Sequence, residues 1–180
     1  MAGVRIANED DSVAVAGIYA PYVSDTAISF EEVPPSAEEM RSRIRKTLTT
    51  YPFVVFEVDD AVVAYAYASP HGERAAYRWS VDVAVYAAPQ AHRRGLGRAL
   101  YSSLFEILAR QGFHSVFAGI TLPNDKSVGL HQAMGFRPIG VYAQAGFKLG
   151  AWHDVGWWGR PISSGPPRGE PIPFPDTPSA

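Results

Sequence analysis

From residue 75 to residue 112 the chain passes through a strand pattern, a glycine turn and a helix pattern, and this run restricts the fold more than any other part of it. Ala75 to Ala87 (AAYRWSVDVAVYA) alternates, with Trp79, Val81, Val83 and Val85 on one face and Arg78, Ser80, Asp82 and Ala84 on the other. That period of two belongs to a pleated strand, so Arg78 and Asp82 are expected to point the same way. After Pro89 comes HRRGLG, then a helix from Gly97 to Gln111 with Leu96, Leu100, Leu104, Ile107 and Leu108 along one side and Gly112 as its stop. Ser115 to Thr121 reads as the next strand, and the helix and strand after it extend the run to a β-α-β-α-β unit.

The remaining segments fit around that unit. Val4 to Ala7 is a short apolar strand, and Asn8 to Asp11 supplies capping residues for a helix carrying Val13, Ile18 and Tyr19, which Pro21 is expected to end or kink. Ser24 to Pro35 (SDTAISFEEVPP) has no period and reads as a loop of the kind that folds over a pocket. Ser36 and Glu39 form a capping box for a helix to about Thr49. Phe53 to Val58 and Val62 to Ser69 read as an antiparallel hairpin, Asn124 and Asp125 start a short helix through Met134, and Ile139 to Phe147 with Trp152 to Trp158 close the chain as a second hairpin. Together these predict an α/β domain over residues 1–162, with a mixed, mostly antiparallel twisted sheet flanked by helices. Residues 163–180 are rich in Pro, Gly and Ser and are expected to form a disordered tail.

Composition removes several classes of function. With 47% hydrophobic and 19% charged residues over 180 positions, the chain has the balance of one folded domain. A net charge of -2 argues against nucleic acid as the main partner. The absence of cysteine excludes disulfides, thiolate nucleophiles and cysteine-held metal centres, and no metal site is expected. No signal-peptide pattern opens the chain and no run of about 18 apolar residues occurs, so a cytoplasmic protein without membrane attachment is the expectation.

The glycine turn carries the chemistry. Gly95 and Gly97 lie between a strand and a helix start, which leaves unpaired amides at the positive end of a helix dipole, and Arg93, Arg94 and Arg98 add a local positive field. Such a turn suits a pyrophosphate, and it equally suits a plain turn with solvated arginines. It is neither the dinucleotide fingerprint nor a phosphate loop.

RRGLG followed by an amphipathic helix, then LPND, then LHQAMGF, resembles the acetyl-CoA site of the GNAT acetyltransferase superfamily. SDTAISFEEVPP, YRWSVDVAVYAAP and GFKLGAWHDVGWW resemble, more narrowly, the group that acetylates phosphinothricin, methionine sulfoximine or methionine sulfone. The resemblance implies the GNAT acyltransferase fold, acetyl-CoA as cosubstrate without a metal, and N-acetylation of a small amino-acid-like substrate. It implies that Val85, Tyr86 and Ala87 hold the pantetheine arm and acetyl group through their backbone. It also implies that Arg93, Arg94, Gly95, Leu96, Gly97 and Arg98 hold the pyrophosphate, and that Asn124 touches the cofactor from the other side. Tyr86 is equally readable as a core aromatic, and Asn124 as a helix cap. Gly97 is expected to be small because the cofactor approaches there.

For catalysis, the resemblance places an acidic residue at Asp82, where glutamate is usual, and a histidine at His131. Asp82 reads as the general base or as an ion-pair partner of Arg78; His131 reads as a catalytic partner or as a core histidine. His92 stands where the superfamily usually has Gln or Arg, a change that backbone phosphate contacts tolerate. Phe30, Glu31 and Arg78 are the expected substrate pocket, with the arginine for an acidic group and the glutamate for an ammonium. Lys148 and Trp152 lie in the closing hairpin, which in this group pairs with a second subunit, so a homodimer is expected. Two other readings stay open at this level: a general amine or protein N-terminal acetyltransferase, and a non-catalytic acyl-CoA-binding domain.

Overall fold

The computed structural model describes residues 2–91 and 95–177. Among them, seven strands make one sheet in the order β1 (Ala2–Ile6), β2 (Phe53–Val58), β3 (Ala61–Pro70), β4 (Ser80–Ala87), β5 (Ser115–Leu122), β7 (Ala151–Pro161) and β6 (Arg137–Lys148). The β4–β5 pair is parallel and the other pairs are antiparallel, so β6 does not continue a parallel run beside β5 but lies beyond β7. Helices α1 (Ser12–Ser24), α2 (Ala37–Leu48), α3 (Leu96–Gln111) and α4 (Asp125–Ala133) flank the sheet.

Both hairpin turns follow from two residues held in the left-handed region. Asp59 and Asp60 have φ of 48° and 65°, and Leu149 and Gly150 have φ of 52° and 78°. Turns of that hand match the right-handed twist of the strands they join. The crossover helix α3 covers the sheet with Leu100, Leu104 and Leu108, all fully shielded. Burying each such side chain is worth about 1.5–3 kcal/mol.

Four expectations need correction. The strand does not begin at Ala75: Ala75–Tyr77 is a single 3-10 turn and Arg78 is helical in φ and ψ, so β4 starts at Ser80. Arg78 and Asp82 therefore do not share a strand face. Pro21 neither ends nor breaks α1, which continues to Ser24 because Tyr19 and Val23 are buried on either side of it. The hydroxyls of Ser24 and Thr26 donate to Ala20 O and Tyr22 O, which helps satisfy the last carbonyls. Ser36 caps α2 through Glu39 N at 3.1 Å, but the Glu39 carboxylate turns to Arg43 instead of closing a capping box.

The fourth correction is the tail. Residues 163–177 are irregular, yet Ile162 and Phe174 pack against the core and the backbone is tied down. Gln111, which is 0% exposed, donates its amide to Thr50 O and Ile172 O, both at 2.8 Å. Ile172 N returns to Gln111 O at 2.8 Å, Phe174 N donates to Thr50 O at 3.1 Å, and Trp79 Nε1 donates to Gly169 O at 2.8 Å. The composition argument weighed apolar bulk and overlooked main-chain bonds. Deleting residues 163–180 is expected to cost about 2 kcal/mol, roughly 1 kcal/mol for each bond that Gln111 loses. For a domain of this size that is a Tm drop of about 4–8 °C, readable by calorimetry, and an unchanged Tm would show that the strap carries no load.

Candidate active site

The sheet opens where β4 and β5 meet. The two strands pair only at Ser80 with Ser115, Val81 with Val116 and Asp82 with Phe117. Beyond that point β4 stays paired with β3 as far as Ala87, and β5 stays paired with β7 as far as Leu122. Each strand follows its outer neighbour, so the two part into a wedge lined by Val83, Val85, Tyr86, Tyr101, Ala118 and Asn124. Among the described residues no strand pairs with the facing edges of the wedge, and an extended ligand laid between them could bond to main-chain groups there.

The N-terminus of α3 belongs to the same region, since Tyr101 in its second turn lines the wedge. Gly95 turns the chain with φ of 74°, and its carbonyl takes the first helical bond, from Ala99 N at 3.1 Å. The amides of Leu96, Gly97 and Arg98 precede that bond, so they stand unpaired by the helix at its positive end. This is the geometry of an anion site. His92, Arg93 and Arg94 lie outside the described residues. A Cβ on Gly97 would come within 2.7 Å of Leu130 Cδ2, so packing of α4 on α3 keeps Gly97 small, and cofactor approach is not needed to explain it.

Asp82 sits at the apex of the wedge, in the last β4–β5 pair. Burial raises its pKa, and the hydrogen bond with His71 partly opposes that rise. His71 Nδ1 lies 2.6 Å from Asp82 Oδ1. Arg78, in contrast, bonds Ala75 O and Glu170 and stacks on Trp79, away from the apex carboxylate. His131 is buried in α4, with Nδ1 2.8 Å from Ser127 O and Nε2 3.0 Å from the Tyr101 hydroxyl. A carbonyl only accepts, so Nδ1 holds the proton and Nε2 accepts from Tyr101. Burial lowers the His131 pKa, which keeps the ring neutral. Asn124 caps α4 through Ser127 N at 3.1 Å and also lines the wedge.

The model of the acetyltransferase (GNAT) domain matches residues 4–157. Phosphinothricin N-acetyltransferase of Streptomyces viridochromogenes is 40% identical over 92% of this chain and 91% of its own length. The chain is a GNAT acetyltransferase. A further relative of this acetyltransferase is the L-methionine sulfoximine/L-methionine sulfone acetyltransferase of Salmonella typhimurium, 31% identical over 84% of this chain and 90% of that one. Among solved structures, a phosphinothricin acetyltransferase from Sinorhizobium meliloti in complex with AcCoA superposes with a TM-score of 0.88. It is 36% identical, over 98% of this chain and 97% of that one.

The acetyltransferase arranges its expected substrate residues differently from the expectation. Phe30 comes from the loop before α2 and packs so closely over Gly146 that a Cβ there would lie 2.3 Å from its ring. Glu31 is held by Arg43 at 2.7 and 2.9 Å and by the Tyr19 hydroxyl at 2.9 Å, so its charge is already matched within the protein. Lys148 is buried and donates to Val23 O at 2.5 Å and Ser29 O at 2.7 Å, which makes it an anchor for that loop within its own subunit. Trp152 is exposed and meets Phe147 edge-on at 5.3 Å. The loop does fold over the wedge, where Ile28 forms part of the lining.

Two of these partners, His71 and Arg43, have no periodic signal of their own. The register did hold a clue to the first, because Ser69 pairs with Asp82 and Pro70 with Val81, which delivers the next residue to the apex. The Arg43 bond, with a smaller opposing effect of burial, lowers the pKa of Glu31. A carboxyl lowered on folding adds stability above its unfolded pKa, about 4.3, and loses that contribution as pH falls through its folded value. Glu31→Gln is therefore expected to destabilise at pH 7 and to converge with the parent below about pH 4, as read by urea unfolding at several pH values.

Proposed function

We propose that this enzyme transfers the acetyl group of acetyl-CoA to the amino group of a small amino-acid-like substrate of the phosphinothricin, methionine sulfoximine or methionine sulfone type. The observation that carries the reading is the wedge, with a helix N-terminus beside it and a carboxylate at its apex. The relatives named above, covered along nearly their full length, supply the substrate class.

The backbone of Val85, Tyr86 and Ala87 fits an extended pantetheine arm, and the amides of Leu96, Gly97 and Arg98 fit its pyrophosphate. Asn124 bounds the cofactor from α4. Acetyl-CoA supplies a thioester carbonyl for attack by the amine. An amine with a pKa of about 8 or higher is mostly protonated at neutral pH, so a proton acceptor is required. The proton leaves at the apex, where Asp82 stands hydrogen-bonded to His71 and burial makes its carboxylate more basic than a free one. His131, neutral and buried, fixes the Tyr101 hydroxyl against the wedge rather than taking that proton.

The β6–β7 hairpin presents Ile139, Val141, Tyr142, Phe147, Leu149 and Trp152, each more than half exposed. An apolar face of this kind suits a second copy of the chain, and the enzyme is read as a homodimer, with Trp152 at the contact. Among the described residues no helix is long and apolar enough to cross a membrane.

The reading is tested by thiol release from acetyl-CoA with phosphinothricin, methionine sulfoximine, methionine sulfone, polyamines and short peptides. The first three are expected to give the highest kcat/KM. A preference for peptides would move the enzyme to the protein N-terminal acetyltransferases, and no release with any amine would reduce it to an acyl-CoA-binding domain.

A further inference from the structure

We propose that His71 Nε2, and not Asp82, takes the proton from the substrate amine, with Asp82 acting as the carboxylate that positions the ring. The proposal rests on the acetyl-transfer reading above and deepens it.

An ionised carboxylate only accepts hydrogen bonds, so in the 2.6 Å contact Nδ1 of His71 carries the proton and donates to Asp82 Oδ1. That leaves the lone pair on Nε2, for which no described residue provides a hydrogen-bond partner. The ring is held from three sides. It stacks on Phe117 at 4.2 Å, and it meets Tyr77 at 5.6 Å and Trp157 at 6.0 Å edge-on. Phe117 is the residue paired with Asp82 at the apex, so the imidazole lies over the point from which the wedge opens.

Side-chain exposures of 24% for His71 and 29% for Asp82 leave the pair reachable from outside. Among the described residues, the titratable groups against the ring are Asp82 from β4 and Tyr77 from the turn before it, while β5 and β7 contribute Phe117 and Trp157. Chemically the imidazole suits the task better than the carboxylate. A neutral imidazole is a more effective proton acceptor near neutral pH than an ordinary carboxylate, and bases work best near the operating pH.

The step balances as follows. Nε2 takes one proton from the ammonium and becomes an imidazolium paired with Asp82. The freed nitrogen lone pair forms the C–N bond at the thioester carbonyl, the C–S bond breaks, and its electron pair leaves on sulfur. The second amine proton neutralises that sulfur as the free thiol, and the proton on His71 passes to water.

The test compares the parent enzyme with His71→Gln, Asp82→Asn and the double variant, using whichever amine in the panel turns over fastest. Each single variant is expected to lose about 10²- to 10⁴-fold in kcat, with the double variant close to the worse single. In the parent, kcat/KM should fall on the acid side as the base becomes protonated. In Asp82→Asn and His71→Gln that limb should give way to one that follows deprotonation of the free amine, with part of the lost rate returning at high pH. Acetyl-CoA affinity by calorimetry checks that each variant is folded, and His71→Asn replaces His71→Gln if the latter is not.

A readout independent of turnover is the ring itself. Long-range ¹H–¹⁵N spectra should show His71 with its proton on Nδ1 in the parent and a shift toward Nε2–H in Asp82→Asn. Full activity in His71→Gln beside a large loss in Asp82→Asn would overturn the proposal and leave the acetyl-transfer reading intact, as would an Nε2–H ring in the parent. No thiol release by the parent with any amine would instead remove the acetyl-transfer reading, and the base role of His71 with it.

Discussion

Asp82→Asn is expected to lower kcat by about 10²- to 10⁴-fold at neutral pH, the usual worth of general-base catalysis, while acetyl-CoA affinity hardly changes. The separation follows from position: Asp82 ends the β4–β5 pairing, whereas the groups suited to the cofactor lie beyond it, along β4 and at the start of α3. Part of the lost rate should return at high pH, where the amine is already neutral. Steady-state kinetics from pH 6 to 10 with calorimetric titration of acetyl-CoA would check both halves. Near-normal turnover in Asp82→Asn together with a large loss in His131→Ala would move the base to α4. Asp82→Glu lengthens the side chain by one methylene and keeps its charge. It does not isolate reach, however, because an added methylene at a 2.6 Å contact has to displace a ring already stacked at 4.2 Å on Phe117.

Lys148→Met is expected to give the largest loss of stability among the site residues. It removes the donor from two buried contacts, Val23 O and Ser29 O, and a buried acceptor left unpaired costs about 1–3 kcal/mol. In a domain of this length each kcal/mol lowers Tm by about 2–4 °C. The loop that loses its anchor contains Ile28, which lines the wedge, and Phe30, which seals against Gly146. KM for the amine should therefore rise while acetyl-CoA affinity stays near its parent value. Urea unfolding with kinetics in both substrates measures this, and a stability loss without a change in KM would show that the loop does not shape the acceptor pocket.

The sheet and its helices were legible in the sequence because each rests on a local pattern. Alternation marks the strands, the leucine spacing marks α3, and turn residues such as Asp59-Asp60 mark the hairpins. The glycine turn likewise announces the start of α3. The polar partnerships were not legible, because they join residues that no period relates. Lys148 reaches Val23 across 125 positions, Gln111 reaches Ile172 across 61, and Arg78 turns to Glu170 across 92.

The Arg78 case shows the physical reason for the largest error. Alternation of residue types continues through Ala75 to Ala87, but a tail that supplies an acceptor to Trp79 and a carboxylate to Arg78 favours a turn in the first third of that stretch. Arg43 and His71 were missed for the same cause: each depends on a neighbour fixed by the packing of a distant element. Asp82 could be proposed from sequence because it lies on a regular strand in a segment that resembles a known one.

Hydrogen exchange with and without acetyl-CoA tests most directly whether the wedge is the acyl-donor site. The account predicts slowed exchange in peptides covering residues 83–87 and 96–98, together with the start of α4 near Asn124, and little change along β1 and β2. Protection confined to other segments, with these amides exchanging as before, would contradict it.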